Sequence, residues 1–276
     1  MMLRINLFSK ILFLILLSLY FVVVATPFLL MFFNGFKTTR ELFLKPFEMP
    51  DSFAPENHIR AWERAGLGTA FLNSIVVSGA GIFGVLFTSS MLAYVLSRYR
   101  FRFRRFIYVY IILGLALPAR LAIIPIFLLL NSLKLTDTRL GLVLVYIATG
   151  ASFATFLLKN FMDGIPLEIE ESARMDGASP WTVYRRIALP LIKPALVVVG
   201  LVNFVNIWND FFFPFIIITS KAKETVPLAV SLFYGEYSNQ WPMIAAALTI
   251  SVVPIMVVFF LFSKQFISGI TQGAIK

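Results

Sequence analysis

EIEESARMDGASPWTVYRRIALPLIKP, residues 168–194, is the one long polar interval lying between two strongly hydrophobic runs, and its internal order decides how the chain on either side is read. Residues 166–175 read as a helix. Pro166 suits a first turn, Glu168, Glu170 and Glu171 sit where the positive end of the helix dipole favours acids, and Gly177 supplies the stop. A second helix follows at once, with Ser179 as N-cap, Pro180 at the first helical position, Arg185 and Arg186 in the last turn and Pro190 as terminator. Leu167, Ile169 and Met175 on the first helix, with Trp181, Tyr184, Ile187 and Leu189 on the second, put apolar side chains on an element outside any bilayer. Such a surface is suited to docking.

The flanking runs, 140–158 before the loop and 195–218 after it, are uncharged or nearly so and long enough to cross a ~30 Å hydrocarbon core. The whole chain has that character: 59% hydrophobic, with 30 Phe and only 14% charged residues in 276, it is too apolar for a soluble domain. Working further outward, 106–130 is a span interrupted by Pro118, Arg120 and Pro125, and 71–96 and 242–262 are two more. Residues 11–33 follow a short basic leader, and this run exceeds the ~7–15-residue apolar region of a signal peptide, so it reads as an uncleaved first span. Residues 34–70, with Pro46, Pro50 and Pro55, form an ordered extramembrane loop. The expected fold is all-α, a polytopic membrane protein of six transmembrane helices in one domain over 1–276, with the polar loop, taken as 163–194, between helices four and five.

Composition also removes whole classes of chemistry. Without cysteine there is no disulfide framework, thiol nucleophile or zinc-thiolate site, and with His58 alone there is no histidine cluster, so neither a catalytic constellation, a metal nor a cofactor is expected. Gly79, Gly81 and Gly84 spell a GxGxxG pattern, but they lie in an uncharged run with no acid at the ribose position. Ala80, Gly84 and Thr88 there fall at helical spacing and are expected to allow close helix packing. Arg98, Arg100, Arg102, Arg104 and Arg105 form a dense basic turn; wedged between spans, it fits orientation and anionic headgroups rather than nucleic acid.

Basic residues collect on the cytoplasmic side of a membrane. With the N-terminus inside, inner segments carry fourteen basic against five acidic residues and outer segments nine against eight, which places both termini, the arginine turn and the 163–194 loop in the cytoplasm. Arg120 and Asp210 are the charges left inside spans. In 195–218, Asn203, Asn206, Asn209 and Asp210 interrupt Phe, Val, Ile and Leu, and spacings of three and seven put Asn203, Asn206 and Asp210 on one helical face. That face either lines a translocation route, its amides donating to and accepting from a hydroxylated solute, or makes hydrogen bonds between helices. Arg120 either meets an anionic substrate or satisfies carbonyls freed by the proline break.

Glu171-Ser172-Ala173, Gly177 within Asp176-Gly177-Ala178, Ile187 and Leu189-Pro190 resemble, in order and spacing, the EAA loop of ATP-binding-cassette importer permeases, with Ser172 in place of the usual second alanine. Asn73-Ser74, Ala93-Tyr94, Ile124-Pro125, Leu135-Thr136-Asp137-Thr138, Trp208-Asn209-Asp210 and the tail from Gly269 to Lys276 are similar to the carbohydrate-type group that includes the smaller membrane subunit of maltose importers. The resemblance implies a single transmembrane permease domain in the cell inner membrane. It implies as partners two ATP-binding ATPase subunits, a second permease forming a heterodimer rather than a homodimer, and an extracytoplasmic solute-binding protein. It also implies that Glu171, Ser172, Ala173, Asp176, Gly177, Ala178, Ile187, Leu189 and Pro190 couple the chain to the ATPases, with Glu171 offering its carboxylate to a basic residue there. No GxxxxGK[ST] phosphate loop occurs, so ATP hydrolysis is expected in a partner. Sugars, oligosaccharides and glycerol phosphates are all carried by such permeases. The alternative, a secondary transporter driven by an ion gradient, calls for paired membrane-embedded acids, of which Asp210 is the sole candidate. A membrane enzyme finds no acid–base or nucleophile set.

Overall fold

The structure is a computed structural model that describes residues 7–237 and 239–274, with side chains described as far as residue 264. Among the described residues all regular structure is helical. Four helices are long and apolar enough to cross a membrane: α1 (Leu7–Asn34), α4 (Leu67–Arg98), α7 (Arg139–Asp163) and the apolar stretch of α14 (Trp241–Ala274). Two bent helix pairs raise the number to six if each pair counts as one span. The backbone groups into two units, one of residues up to Leu67 with Val230–Val253, the other of Gly68–Ala229 with the chain from Pro254 onward.

In the first unit α1 buries none of its residues, as a helix surrounded by lipid or by another chain requires. The loop after it is ordered by its own polar groups. Thr38 and Glu41 form a reciprocal capping box at the start of α2 (Thr39–Leu44), and the fully buried Lys37 ammonium donates to the carbonyls of Lys45 and Pro46 at 2.8 and 3.3 Å. Asn57, on α3 (Glu56–Arg64), donates to the carbonyls of Gly35 and Lys37.

The second unit is organised by α4 and α7. On α4 the buried positions Val77, Gly81, Val85, Ser89 and Ala93 recur every four residues, so one continuous stripe faces inward. The close approach expected near the glycines occurs at Gly84, where a β-carbon would collide with the Ile147 side chain of α7. Ala80 and Thr88 do not share it. They face outward, because the buried stripe runs through the neighbouring register. α7 packs against α5 (Arg104–Ala116), α11 (Lys193–Trp208) and α12 (Phe212–Ile217).

Proline positions account for the departures from simple spans. Leu117, ahead of Pro118, is extended, and α5 meets the 3-10 turn Ala119–Ala122 and α6 (Ile123–Ser132) at a 95° bend. Pro125 makes no second break, since it lies in the first turn of α6, where no intrahelical donor is needed. Nor does Pro190 terminate its helix as expected. α9 (Pro180–Val183) widens into a π turn at Tyr184–Ala188, which resets the hydrogen-bond ladder so that Pro190 falls at the start of α10 (Leu189–Leu191). The chain then turns by 74° at Ile192 into α11. The expected run 195–218 is likewise not one helix: α11 ends at Trp208, and α12 begins only after Asn209–Phe211.

Candidate functional site

The loop between α7 and α11 is held by one face of α4, in three layers. Ser90 and Tyr184 share a 2.8 Å hydroxyl hydrogen bond, the Tyr94 hydroxyl donates to Glu170 Oε2 at 3.2 Å, and Arg98 Nε donates to Glu170 Oε1 at 2.7 Å. Residues 90, 94 and 98 are successive i, i+4 neighbours, so a single helical face supplies all three. Ala93, Tyr94, Leu158, Met162, Tyr184, Ala188 and Ile192 close the apolar core beneath. Burial pushes the Tyr184 phenol up from its ordinary value.

On α8 (Leu167–Met175), Glu170 and Glu171 lie about 100° apart around the axis. Glu170 is buried, whereas Glu171 is exposed with Glu168, Ser172 and Asp176. The end of α8 is a Schellman motif. Gly177 has φ +84°, its N–H donates to the Arg174 carbonyl at 3.0 Å, and the Ala178 N–H reaches the Ala173 carbonyl at 3.0 Å. A side chain at 177 would be strained there. Ser179 then caps α9, accepting from the Thr182 N–H at 3.3 Å. Leu167, Ile169, Met175 and Trp181 remain exposed as an apolar outer surface. Tyr184 does not join it, being buried against α4; Ile187 is half-buried, and Leu189 is half-buried against the core. The π turn begins at Tyr184, so the residues after it are displaced around the axis relative to a regular α-helix.

The second set of residues surrounds a cavity of about 380 Å³ lined by Pro118, Arg120, Tyr146, Thr149, Asn203, Asn206 and Asp210, among others. Arg120, Asn203, Asn206 and Asp210 are thus brought together, and Asn209 is not. Its exposed amide donates to the Val205 carbonyl one turn back. Asn203, 4% exposed, also bonds within its own helix, to the Val199 carbonyl at 2.9 Å, rather than across to another. Asp210 lies in the turn after α11 instead of on its face. Its carboxylate accepts from the Tyr146 hydroxyl at 2.8 Å and from the Phe212 and Phe213 N–H groups, capping α12. The Arg120 guanidinium lies 5.6 Å from the Phe212 ring centre, and among the described residues it makes no side-chain hydrogen bond to a freed carbonyl.

A third cluster stood in the sequence only as the Leu135-to-Thr138 landmark. Asp137 is left-handed, with φ 53°, and accepts from the Thr219 and Ser220 N–H groups, the Ser220 hydroxyl and the Lys223 ammonium. Lys223 foremost, then Ser220, holds the Asp137 carboxyl well below the usual range. Nearby, Asn73 donates to the carbonyls of Ala222 and Glu224, and the Val226 N–H donates to Ser74, so the connection between α12 and α13 (Val226–Glu236) is clamped to the start of α4. Glu170 and Arg98 are the functional candidates that sequence reasoning missed. Their only sequence signal is an acid beside the motif glutamate and an arginine closing an apolar helix.

Comparison with known proteins gives a consistent set. The profile of binding-protein-dependent transport system inner membrane components matches residues 86–272. The diacetylchitobiose uptake system permease protein NgcG of Streptomyces coelicolor is 34% identical over 263 residues, covering 95% of this chain and 87% of that protein. The probable ABC transporter permease protein YurM of Bacillus subtilis is 33% identical over 94% of this chain and 86% of its own. In fold, the chain is similar to a chain of a bacterial ABC transporter involved in import of the acidic polysaccharide alginate, with TM-score 0.82 and 24% identity over 95% of this chain and 98% of that one. With its membrane-length helices and the glycine-stopped helical loop between α7 and α11, the chain belongs to the family of binding-protein-dependent transport system inner membrane components.

Proposed function

We propose that this chain is the permease subunit of an ATP-binding-cassette importer for a sugar or related hydroxylated solute, coupled to two partner ATPases through the loop containing α8 and α9. The observation that carries it is the division of labour on α8: Glu171 and an apolar patch face outward while the rest of the loop is fastened to α4. A partner docking on that patch would move α8 and α4 together. Sugar as the cargo class rests on relatives such as NgcG and the melibiose/raffinose/stachyose import permease MelC of Bacillus subtilis. It also rests on the amides, hydroxyls and charges around the 380 Å³ cavity, which suit a hydroxylated solute. Residues 1–276 are read as one permease domain, because NgcG and YurM align over nearly the whole chain.

A second permease subunit would face α1, which buries nothing within this chain, and an extracytoplasmic binding protein would deliver the solute. Both termini and the arginine turn are placed in the cytoplasm by the excess of basic residues there. A gradient-driven relay is disfavoured by Asp210, whose oxygens are already engaged by Tyr146 and the start of α12. The test is affinity capture of the tagged chain from its native membrane. Vanadate-sensitive ATPase activity should come with it and should be lost on Glu171→Ala, with the chain still in the membrane. Capture without any ATPase would refute the coupling assignment.

A further inference from the structure

From the same loop we infer that Glu170 and Arg98, not the exposed motif glutamate, are the positioning residues that carry motion from the ATPase-docking surface to the cavity, acting as a buried strut. This rests on the importer reading above. The Arg98 and Glu170 side chains are 4% and 2% exposed and meet at 2.7 Å. Both carboxylate oxygens are used, Oε2 by the Tyr94 hydroxyl with Arg174 at 3.8 Å, and the guanidinium also donates to the Ile165 carbonyl and the Ser97 hydroxyl. Ser97 in turn donates to Asp163, which pairs with Lys159, so the end of α7 is included. Opening such a contact would strand two buried charges, so the pair holds α8 and the end of α4 together. A push on α8 therefore moves the end of α4.

α4 itself supplies the lever. From Arg98 it runs back without a break to Gly81, about 26 Å along the axis, where the absent side chain leaves the backbone against Ile207 and Tyr146. Both of those residues line the cavity. One rigid helix thus has the strut at its cytoplasmic end and the cavity wall at its middle.

The chain has no cysteine, so a single Asn206→Cys reporter in the cavity can be read with a membrane-impermeant maleimide in the assembled complex, with and without ATP and vanadate. In this parent the labelling rate should change at least about tenfold between the two states, as a population shift of the pathway requires. Glu170→Gln, which leaves Arg98 buried without its counter-charge and is therefore read per assembled complex, should reduce that change to within about twofold. A double variant, Arg98→Met with Glu170→Leu, restores packing without charge. It should keep assembly and thermal stability and still fail to respond, because apolar replacement of a buried pair preserves folding but not directional contact. A response in either variant equal to the parent overturns the strut, and loss of assembly in both makes the pair structural and overturns it too. A parent that ignores nucleotide overturns the pathway reading and the strut together.

Discussion

Asp137→Asn isolates the charge at the clamp between the start of α7 and the connection after α12. Asn tolerates the left-handed φ of 53° as Asp does, so the backbone is not strained by the change. Its amide oxygen can still accept from the Thr219 and Ser220 N–H groups, at 3.0 and 2.9 Å in the native chain. What disappears is Oδ2, the acceptor for the Ser220 hydroxyl and for the Lys223 ammonium at 2.8 Å, where an NH2 group now opposes a cation that keeps only the residue 137 carbonyl. A hydrogen bond to a charged group contributes ~1.5–3 kcal/mol. The Lys223 side chain is 37% exposed and the Asp137 side chain 26%, so Lys223 regains water and the loss reduces to about 1–2 kcal/mol. The expected fall in Tm is about 2–8 °C.

The pH dependence carries the sign. The folded carboxyl is held below its unfolded value of ~3.9, so the clamp's stabilisation is fully present above that value and is lost as pH falls from there toward the folded one. Thermal unfolding of the purified protein, native against Asp137→Asn, should show a constant gap from pH 7 down to about 5, narrowing below about 4. Equal Tm values at pH 7, or a gap unchanged at the lowest pH reached, would show that the charge contributes nothing.

At the cavity, Asn203→Leu and Asn206→Leu should lower import at least about tenfold, read as complementation of a deletion strain on the sugar it fails to use, with complex yield preserved. Import falling only in step with complex yield would make the amides structural. For topology, single cysteines at 102 and 180 should react with an impermeant thiol reagent only after the membrane is opened, and labelling of either in intact cells would invert the orientation.

Local physics explains how much was legible beforehand. Membrane spans follow from uninterrupted apolar runs, and the stop at Gly177 and the cap at Ser179 follow from backbone donors and acceptors within a few residues. The polar residues of 195–218 were recognisable because amides in apolar surroundings need partners or water, and three of them, with Arg120, do share one cavity. Pro190 misled because a widened turn just upstream supplied a register in which its missing donor does not matter.

By itself, then, the sequence determined the apolar runs, the class of fold and the helix–glycine–helix loop with its stop at Gly177 and cap at Ser179, since each depends on composition or on neighbours within one or two helical turns. Only the tertiary structure decided which of the adjacent carboxylates is buried. Glu170 is set by Arg98, 72 residues away, and Asp137 by residues 82 to 86 positions further on. A charge's role follows from the partner that desolvates or neutralises it, and that partner is delivered by packing across distant segments, which no local pattern records.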